Sequence, residues 1–464
     1  MTTNNKVSGY LPDETPQFFE LIIFALQQIV VMFPATVLVA LITGFHVSTT
    51  IFASGLATLA FILVTGKKIP LYYGSSFSYI AAIASIMSAD AFAGMTLNEK
   101  ISIAQFGIIM SGFVSIAAGM IIRKSGKQFI DKVLPATVTG SIAIIIGLSL
   151  SANAMSNASA IPAGVADAMK SNAASFAWII AIVTLISTIA YSVYLKGKLS
   201  QLPILFGLLT GYFTAVVIGM MTGIPFVSFT TITSSSILTL PIFTFPKPSL
   251  AAVIAIMPIA IATIPESTAH IYQLDIYVNN LAKKKGSKKK YDLENKLGLN
   301  LIGDGIGDIV SGLIGGPAGT NYGENISAMA ISKNFSVAVL MAAAVITMVI
   351  SMFTPLINII YSIPTAVIGG LSIYLFGVIA AQGITIMMDR KVDMFSSKNL
   401  AIIAVILIVG LGGSFQFEGG MIPMFGTQLP AIATAAIVGI TLNLLLSFGD
   451  KFAADSAGND EIAS

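Results

Sequence analysis

Apolar runs long enough to form membrane-spanning helices recur along almost the whole chain, and they restrict its fold more than any other feature. A helix needs about 20 apolar residues to cross the hydrocarbon core of a bilayer. The 464 residues are 55% hydrophobic and only 10% charged, whereas a soluble domain has about 25% charged residues. The sequence therefore predicts an all-α, polytopic membrane protein that lies in a lipid bilayer, without a sizeable soluble module.

The apolar runs predict fourteen transmembrane segments, which cover residues 18–41, 49–66, 70–92, 101–122, 134–152, 174–195, 202–221, 249–279, 296–314, 317–334, 336–354, 363–388, 399–415 and 428–447. With this division, 21 of the 24 Lys and Arg residues fall in loops on the side of the N-terminus. Only Lys100, Lys170 and Lys247 fall on the other side. Because Lys and Arg accumulate in cytoplasmic loops, both termini are predicted to be cytoplasmic and the protein to lie in the cell membrane.

A lysine-rich stretch, KKKGSKKK at 283–290, stands out among the basic loops. We interpret it as a topological anchor that needs no partner. An anionic lipid surface is the alternative left open, and no nucleic-acid partner is expected. The chain has no cysteine, which excludes disulfides and thiolate metal sites.

The tenth segment places a carboxylate where a membrane protein tolerates it least. Glycines and Pro317 between 315 and 323 forbid a continuous helix, whereas the apolar residues 326–331 allow a helix to resume. Glu324 is therefore predicted at or near the first turn of a half-helix, beside Asn325. Unpaired backbone N–H groups and a carboxylate at membrane depth form a polar site, which survives only if it lines a cavity.

The third segment repeats this pattern. It begins PLYYGSSFSYI at Pro70, and the tenth begins PAGTNYGENISAM at Pro317; each is the third segment in its group of seven. Because seven is odd, the second group enters the membrane from the opposite face, which predicts a 7+7 inverted repeat. Extended pieces at 70–74 and 318–322 are predicted to pair as two short antiparallel strands. Two unrelated kinks remain the alternative.

The eighth segment carries Glu266 and His270, four residues apart and so on one helix face, where they can exchange a hydrogen bond or a proton. A structural pair between helices is the alternative, and a metal site is disfavoured because a third strong ligand is missing. Glu266 and Glu324 facing one cavity cannot both stay charged at low cost. A protonated carboxyl both donates and accepts, which suits a neutral heterocycle with a polar edge and couples its movement to a proton. Phe77 offers such a ring a flat face, although simple packing explains it equally well.

Two further acids, Asp304 and Asp308, lie on one face of the ninth segment in LIGDGIGDIVSG. Asp304 is placed to relay a proton or to pair with a neighbouring polar group. The chain shows no phosphate loop, nucleotide motif or hydrolytic triad, so we do not expect an enzyme.

The chain resembles the nucleobase/ascorbate transporter family, and most closely its bacterial uracil permeases, from about residue 17 to 447. The specific matches are PATVLVALI at 34–42, LYYGSSFSYI at 71–80, PESTAH at 265–270 and TNYGENISAMAISK at 320–333. The resemblance implies a core domain, a gate domain and a homodimer formed through the gate. The core comprises residues 18–122 and 249–354, and the gate comprises residues 134–221 and 363–447.

The resemblance also implies a role for each site residue. Glu266 and Glu324 resemble the carboxylates that bind uracil, Phe77 the stacking aromatic, and Tyr322 and Gly323 the main-chain contacts to the ring. Proton coupling is assigned to Glu266, His270, Asp304 and Asn325. The implied function is proton-coupled uptake of uracil by movement of the core against the gate, without a cofactor other than the coupling proton.

The sequence departs from the uracil permeases at three places. Gln27 and Gln28 stand where those proteins have Gln and His, Asp304 stands where they can have Asn, and Phe376, with Tyr374 nearby, replaces a tyrosine. Xanthine or a broader nucleobase range therefore remains an alternative substrate.

An anion transporter or channel of the same architecture is the alternative from another class. An anion site would need positive potential, yet Glu266 and Glu324 make the centre acidic. The central parts of segments three, eight and ten carry no Lys or Arg.

Overall fold

A computed structural model describes residues 9–89, 92–126, 132–227, 236–424 and 427–462. Numbered along the chain, its α-helices are α1 (Phe18–Thr43), α2 (Val47–Val64), α3 (Ile80–Ser88), α4 (Leu97–Ser125), α5 (Ala136–Ser149), α6 (Ser151–Ala158), α7 (Lys170–Tyr194), α8 (Pro203–Thr222), α9 (Leu250–Ile256), α10 (Ile259–Lys284), α11 (Leu297–Ile314), α12 (Gly323–Ser332), α13 (Val337–Ile350), α14 (Thr354–Tyr361), α15 (Thr365–Asp389), α16 (Ser397–Leu407), α17 (Gly413–Gln416) and α18 (Ala431–Ile462). The strands are β1 (Tyr73–Ser75), β2 (Gly319–Asn321), β3 (Met421–Met424) and β4 (Thr427–Pro430). Positions 90 and 91 of the predicted third segment, and Lys6 and Lys127, lie outside the described residues.

Eleven helical stretches of the described residues are long and apolar enough to cross a membrane. The predicted third and eleventh segments contain shorter apolar helices, Phe77–Ser88 and Val337–Ile350. The tenth consists of β2 and the ten-residue α12. The prediction of an α-helical, multi-pass membrane protein is confirmed, whereas the count of fourteen segments and the inverted repeat stay predictions.

The strands of the two interrupted segments pair as predicted. β1 and β2 are antiparallel, with Tyr73 opposite Asn321, Gly74 opposite Thr320 and Ser75 opposite Gly319. Their backbone hydrogen bonds satisfy groups that lipid cannot satisfy. Gly74 is required here because a Cβ at this position would lie 2.4 Å from the ring of Tyr322.

A second antiparallel pair, β3 and β4, was not predicted. Met421 lies opposite Pro430, and positions 425 and 426 between the strands lie outside the described residues. The 3₁₀ turn that precedes β3 packs against α3, where a Cβ at Gly419 would lie 3.2 Å from that of Ser85. The end of α3 is therefore covered by the chain that joins α17 to β3.

Close contacts through glycine hold two groups of helices together. In the first group, α4 packs against α11, and α2 packs against both α11 and α13. In the second, α15 packs against α5, α7 and α8. A Cβ at Gly112 of α4 would lie 2.5 Å from the carbonyl oxygen of Gly305 in α11, which shows how closely these backbones approach. The division into core and gate domains stays a prediction.

Residues 9–14 form an extended segment that we call the N-terminal strap. The N–H of Tyr10 donates to the carbonyl of Lys333, just after α12, at 2.8 Å. Lys285 pairs with Glu14 at 2.6 Å, and Lys289 pairs with Asp13 at 2.7 Å. Two lysines of the basic stretch thus have intramolecular partners that the sequence interpretation did not include.

Candidate substrate site

The pairing of β1 with β2 brings two helix starts to one place. A 3₁₀ turn, Phe77–Tyr79, follows β1 after one residue, and α12 follows β2 after one residue. Both lie against α10, which carries Glu266 and His270. Residues from the third, eighth and tenth segments therefore meet where the strands end.

Glu266 and Glu324 form the charged part of this site. Glu266 is partly buried on α10, and its carboxylate lies 3.5 Å from the hydroxyl of Ser78. Glu324, whose side chain is exposed, lies in the first turn of α12, which packs against α10. The structure thus brings together two acids from different segments beside the 3₁₀ turn that carries Phe77.

His270 lies one turn beyond Glu266 and contacts the start of α12. A Cβ at Gly323 would lie 2.9 Å from its Nε2, so glycine at 323 allows the imidazole to approach. The ring also contacts the backbone of Asn321, and its buried Nδ1 has no hydrogen-bond partner among the described residues. His270 therefore connects the helix of Glu266 to the half-helix of Glu324.

Phe77 lies at the boundary between the two helix groups. Its ring meets that of Phe376 in α15 edge to face, with centroids 6.3 Å apart and planes at 75°. Phe376 is buried, whereas Phe77 is only partly buried. Phe77 thus directly precedes Ser78, whose hydroxyl lies near the Glu266 carboxylate, and its ring contacts an aromatic side chain of α15 in the second helix group.

The side chains of Tyr322 and Asn325 point to other partners. The hydroxyl of Tyr322 lies 2.9 Å from that of Thr36 and donates to the carbonyl of Ser75 at 3.0 Å. The amide of Asn325 donates to the backbone and side-chain oxygens of Gln28 at 3.0 and 2.9 Å. Both side chains are buried, that of Tyr322 against α1 and β1 and that of Asn325 against α1.

Asp304 belongs to a buried polar network next to the site. It accepts hydrogen bonds from Ser267 at 2.6 Å, Asn321 at 2.7 Å and Asn300 at 3.3 Å. Ser267 directly follows Glu266 in the chain, and Asn321 contacts His270 through its backbone. Asp304 is therefore linked to Glu266 through Ser267 and to His270 through Asn321.

Sequence reasoning missed three polar residues of this region: Ser78, Ser267 and Asn321. All three lie inside motifs that were already singled out, LYYGSSFSYI, PESTAH and TNYGENISAMAISK. Their polarity within apolar segments was an available signal, because buried polar side chains need partners.

A cleft of about 190 Å³ gives access to Glu324. Ser327, one turn farther along α12 toward the end held by the N-terminal strap, shares this cleft. The other lining residues come from α1 and from the start of α8 and the turn before it: Val30, Val31, Pro34, Ser200, Leu202, Pro203, Ile204 and Leu205. Because α1 packs against α13 of the first helix group, Glu324 lines a cleft between that group and α8 of the second group.

The sequence pattern of the Permease family matches residues 19–419. The chain belongs to this family. This permease is 35% identical over 441 residues to a uracil permease of Bacillus caldolyticus, with 93% of each chain covered. It is 34% identical to a uracil permease of Bacillus subtilis (strain 168), covering 97% of this chain and 98% of that one. It is 32% identical to the putative pyrimidine permease RutG of Escherichia coli (strain K12), covering 96% and 94%. The family predicted from the motifs is confirmed, and the protein is a membrane permease and not an enzyme.

Two solved structures share the fold of this permease. Murine Solute Carrier 26 family member A9, an anion transporter in the inward-facing state, has a TM-score of 0.64 at 11% identity, with 94% of this chain and 69% of that one covered. The transmembrane domain of the cyanobacterial bicarbonate transporter BicA has a TM-score of 0.54 at 13% identity, covering 91% and 96%. These likenesses establish a transporter fold.

Proposed function

We propose that this permease takes up uracil together with a proton across the cytoplasmic membrane. The observation that carries the proposal is the packing of α10, which bears Glu266, against both α12, which bears Glu324, and the 3₁₀ turn that bears Phe77. Relatives that are about a third identical over nearly their whole length are named uracil permeases, which supports uracil as the substrate. Xanthine and other nucleobases are the competing substrates.

Each group of the site has a task that its chemistry suits. Ionised Glu324 accepts hydrogen bonds from ring N–H groups, since a carboxylate only accepts. Protonated Glu266 donates to a ring carbonyl, while Phe77 stacks on the ring. The N–H of Gly323, at the first position of α12, is assigned as a donor to the substrate because a helix start leaves its first N–H groups without intrahelical partners.

Coupling follows from the repulsion between the two carboxylates. A substrate that needs ionised Glu324 and protonated Glu266 binds best when one proton is present on the pair, because two adjacent charges are costly. His270 lies one helical turn from Glu266, and Asp304 accepts a hydrogen bond from Ser267, the neighbour of Glu266 in the chain. These two residues form the proposed proton path. Release of substrate then favours release of the proton.

Transport itself is proposed to be a movement of the core against the gate. The cleft beside Glu324 lies between the groups, on the side of the N-terminal strap, which we assign to the cytoplasm from the lysine distribution. On the other side, Phe77 meets Phe376 and the turn at Gly419 covers α3. This arrangement corresponds to access from the cytoplasm. We assign a homodimer contact to the gate, as the family resemblance implies.

Uptake by proteoliposomes tests the proposal. We expect radiolabelled uracil to accumulate only under an inward proton gradient, and Glu266→Gln to abolish accumulation. Accumulation by Glu266→Gln against a gradient would contradict the coupling role. Flux of chloride or bicarbonate instead of uracil would favour an anion transporter, and flux without accumulation would favour a channel.

The absence of cysteine allows a direct test of access. Ser327→Cys, in the cleft, should react with a membrane-impermeant maleimide added from the cytoplasmic side. Ser85→Cys, covered by Gly419, should be protected from reagent added outside. The reverse pattern would contradict the proposed orientation and the closed outer path.

A further inference from the structure

Asp308 joins both strands of the site through one carboxylate. It is buried in α11, where Oδ1 accepts the hydroxyl of Tyr73 at 2.5 Å and the N–H of Gly319 at 2.8 Å. Its Oδ2 lies 3.5 Å from the hydroxyl of Ser111, which also donates to the carbonyl of Ile108 at 2.7 Å. The two short contacts therefore both involve Oδ1, and they come from β1 and β2.

The ring of Tyr73 is held in a narrow slot. A Cβ at Gly307 would lie 2.6 Å from this ring, and a Cβ at Gly319 would lie 2.3 Å from it. Glycine at both positions lets the ring pass between α11 and β2 and reach Asp308. The tyrosine hydroxyl and the Gly319 N–H can then share one acceptor only when β1 and β2 have their observed register.

The register of these strands decides where the substrate groups lie. Phe77 comes two residues after the end of β1, and Glu324 comes three residues after the end of β2. A slip of one residue displaces a strand by about 3.3 Å and reverses the faces of its side chains. A residue that fixes the register therefore fixes the distance between Phe77, the proposed stacking residue, and Glu324, the proposed acceptor.

We propose that Asp308 is a positioning residue, which sets the register of β1 against β2 and so places Phe77 and Glu324, without carrying the transported proton. This rests on the proposed function for its substrate. The contrast with Asp304 supports it, because the partners of Asp304 adjoin Glu266 and His270, whereas within the described part of the chain the short hydrogen bonds to Asp308 come only from the two strands.

A comparison of Asn with Ala at position 308 separates the positioning role of Asp308 from its charge. Asn at 308 keeps an Oδ1 that accepts from Tyr73 and Gly319, and its amide can donate to the hydroxyl of Ser111. Ala removes the shared acceptor and leaves the buried donors unpaired, which is costly. Tyr73→Phe removes one donor and retains the ring in its slot.

Uracil binding and proton-driven accumulation by the purified full chain test the proposal. We expect Asp308→Ala to weaken uracil binding about tenfold or more and Tyr73→Phe to weaken it severalfold. Asp308→Asn should bind within about twofold of the parent and still accumulate uracil under a proton gradient, and Ser111→Ala, the matched control, should also bind normally. Loss of accumulation by Asp308→Asn with intact binding would show that the charge is used. Unchanged binding in both Asp308→Ala and Tyr73→Phe would also overturn the proposal.

A distance measurement keeps this test separate from the identity of the substrate. Spin labels at Ser88→Cys and Lys333→Cys report the separation of the ends of the two half-helices, in a chain without other thiols. We expect an unchanged distance with Asp308→Asn and a shifted or broadened distribution with Asp308→Ala or, if that variant does not fold, with Tyr73→Phe. Failure of the parent protein to bind uracil would contradict the proposed function alone, whereas an unchanged distance in Tyr73→Phe and in folded Asp308→Ala would contradict the positioning role.

Discussion

The third and tenth segments use the same backbone plan but present different side chains. Each has a proline, a three-residue strand and a short helix, and the strands pair with each other. The 3₁₀ turn after β1 presents Phe77, which is partly buried and faces Phe376. The first turn of α12 presents Glu324, which is exposed to a cleft. Two segments with similar backbones thus supply an apolar side chain from the third segment and an acid from the tenth.

The ends of the two short helices also differ. The end of α12 is followed by Lys333, whose carbonyl is bound by the N-terminal strap, and a cleft opens beside the helix. α3 is covered by the turn at Gly419. The difference teaches that similar half-helices lie in unlike surroundings, because a cleft opens beside one and a turn of the chain covers the other.

Removing the acid from the tenth segment should have the largest effect. Glu324→Gln replaces a charged acceptor, and hydrogen bonds to charged groups contribute about 1.5–3 kcal/mol, so uracil binding should weaken by roughly 10- to 150-fold. Titration calorimetry of the purified protein measures this loss of affinity for uracil. Ser327→Ala, in the same cleft, is the control, and equal affinity of Glu324→Gln and the parent would refute the contact.

Changing the aromatic of the third segment should have the next largest effect. Stacking of a base on an aromatic side chain contributes about 1–3 kcal/mol, so Phe77→Leu should weaken uracil binding by roughly 5- to 150-fold. Leucine keeps apolar packing against Phe376, which separates stacking from packing. Phe376→Leu is the control. Normal uracil binding by the Phe77→Leu protein would show that Phe77 serves only in packing.

The contact between α10 and α12 should be sensitive to one added methyl group. Because a Cβ at Gly323 would lie 2.9 Å from Nε2 of His270, Gly323→Ala should displace the imidazole or the helix start. Crowding of this kind costs about 1–3 kcal/mol when neighbours cannot move, and the relaxed cost here should be at the lower end. The ratio of accumulated to free uracil measures the coupling. Gly377→Ala, which has open space around its Cβ, is the control, and equal accumulation by both variants would argue against a role for the contact.

The N-terminal strap should have the smallest effect. Hydrogen bonds from Lys289 and Tyr291 hold the pKa of Asp13 below its usual value. The contribution of Asp13 to stability is therefore present above its ordinary pKa of 3.8 and is lost as the pH falls through the lower value in the folded protein. Because the ion pair is half-exposed, it should contribute only about 0.2–1 kcal/mol.

Thermal unfolding of detergent-solubilised protein tests this effect. Asp13→Asn should lower the melting temperature slightly at neutral pH, and the difference from the parent should shrink as the pH falls below 4. Lys288→Gln, which changes an exposed lysine of the same stretch, is the control. A difference that grows on acidification would contradict the ion-pair explanation.

The local sequence determined that this permease is an α-helical membrane protein, which family it belongs to, and that its third and tenth segments contain paired strands. The apolar runs predict the spans because helix length must match the bilayer. The glycines and prolines before Glu324 and Phe77 predict interrupted helices because they forbid continuous ones. The strands themselves were predictable, because two interrupted backbones within lipid must pair with something.

Only the tertiary structure decided which partners the polar side chains have. Tyr322 binds Thr36, nearly 300 positions earlier, Asp308 joins strands from both halves, and Lys285 pairs with Glu14 instead of remaining a free anchor. Composition and periodicity report whether a residue prefers lipid, protein or water. They do not report which of several suitable donors or acceptors lies within hydrogen-bonding distance, because that distance depends on how helices far apart in the chain pack together.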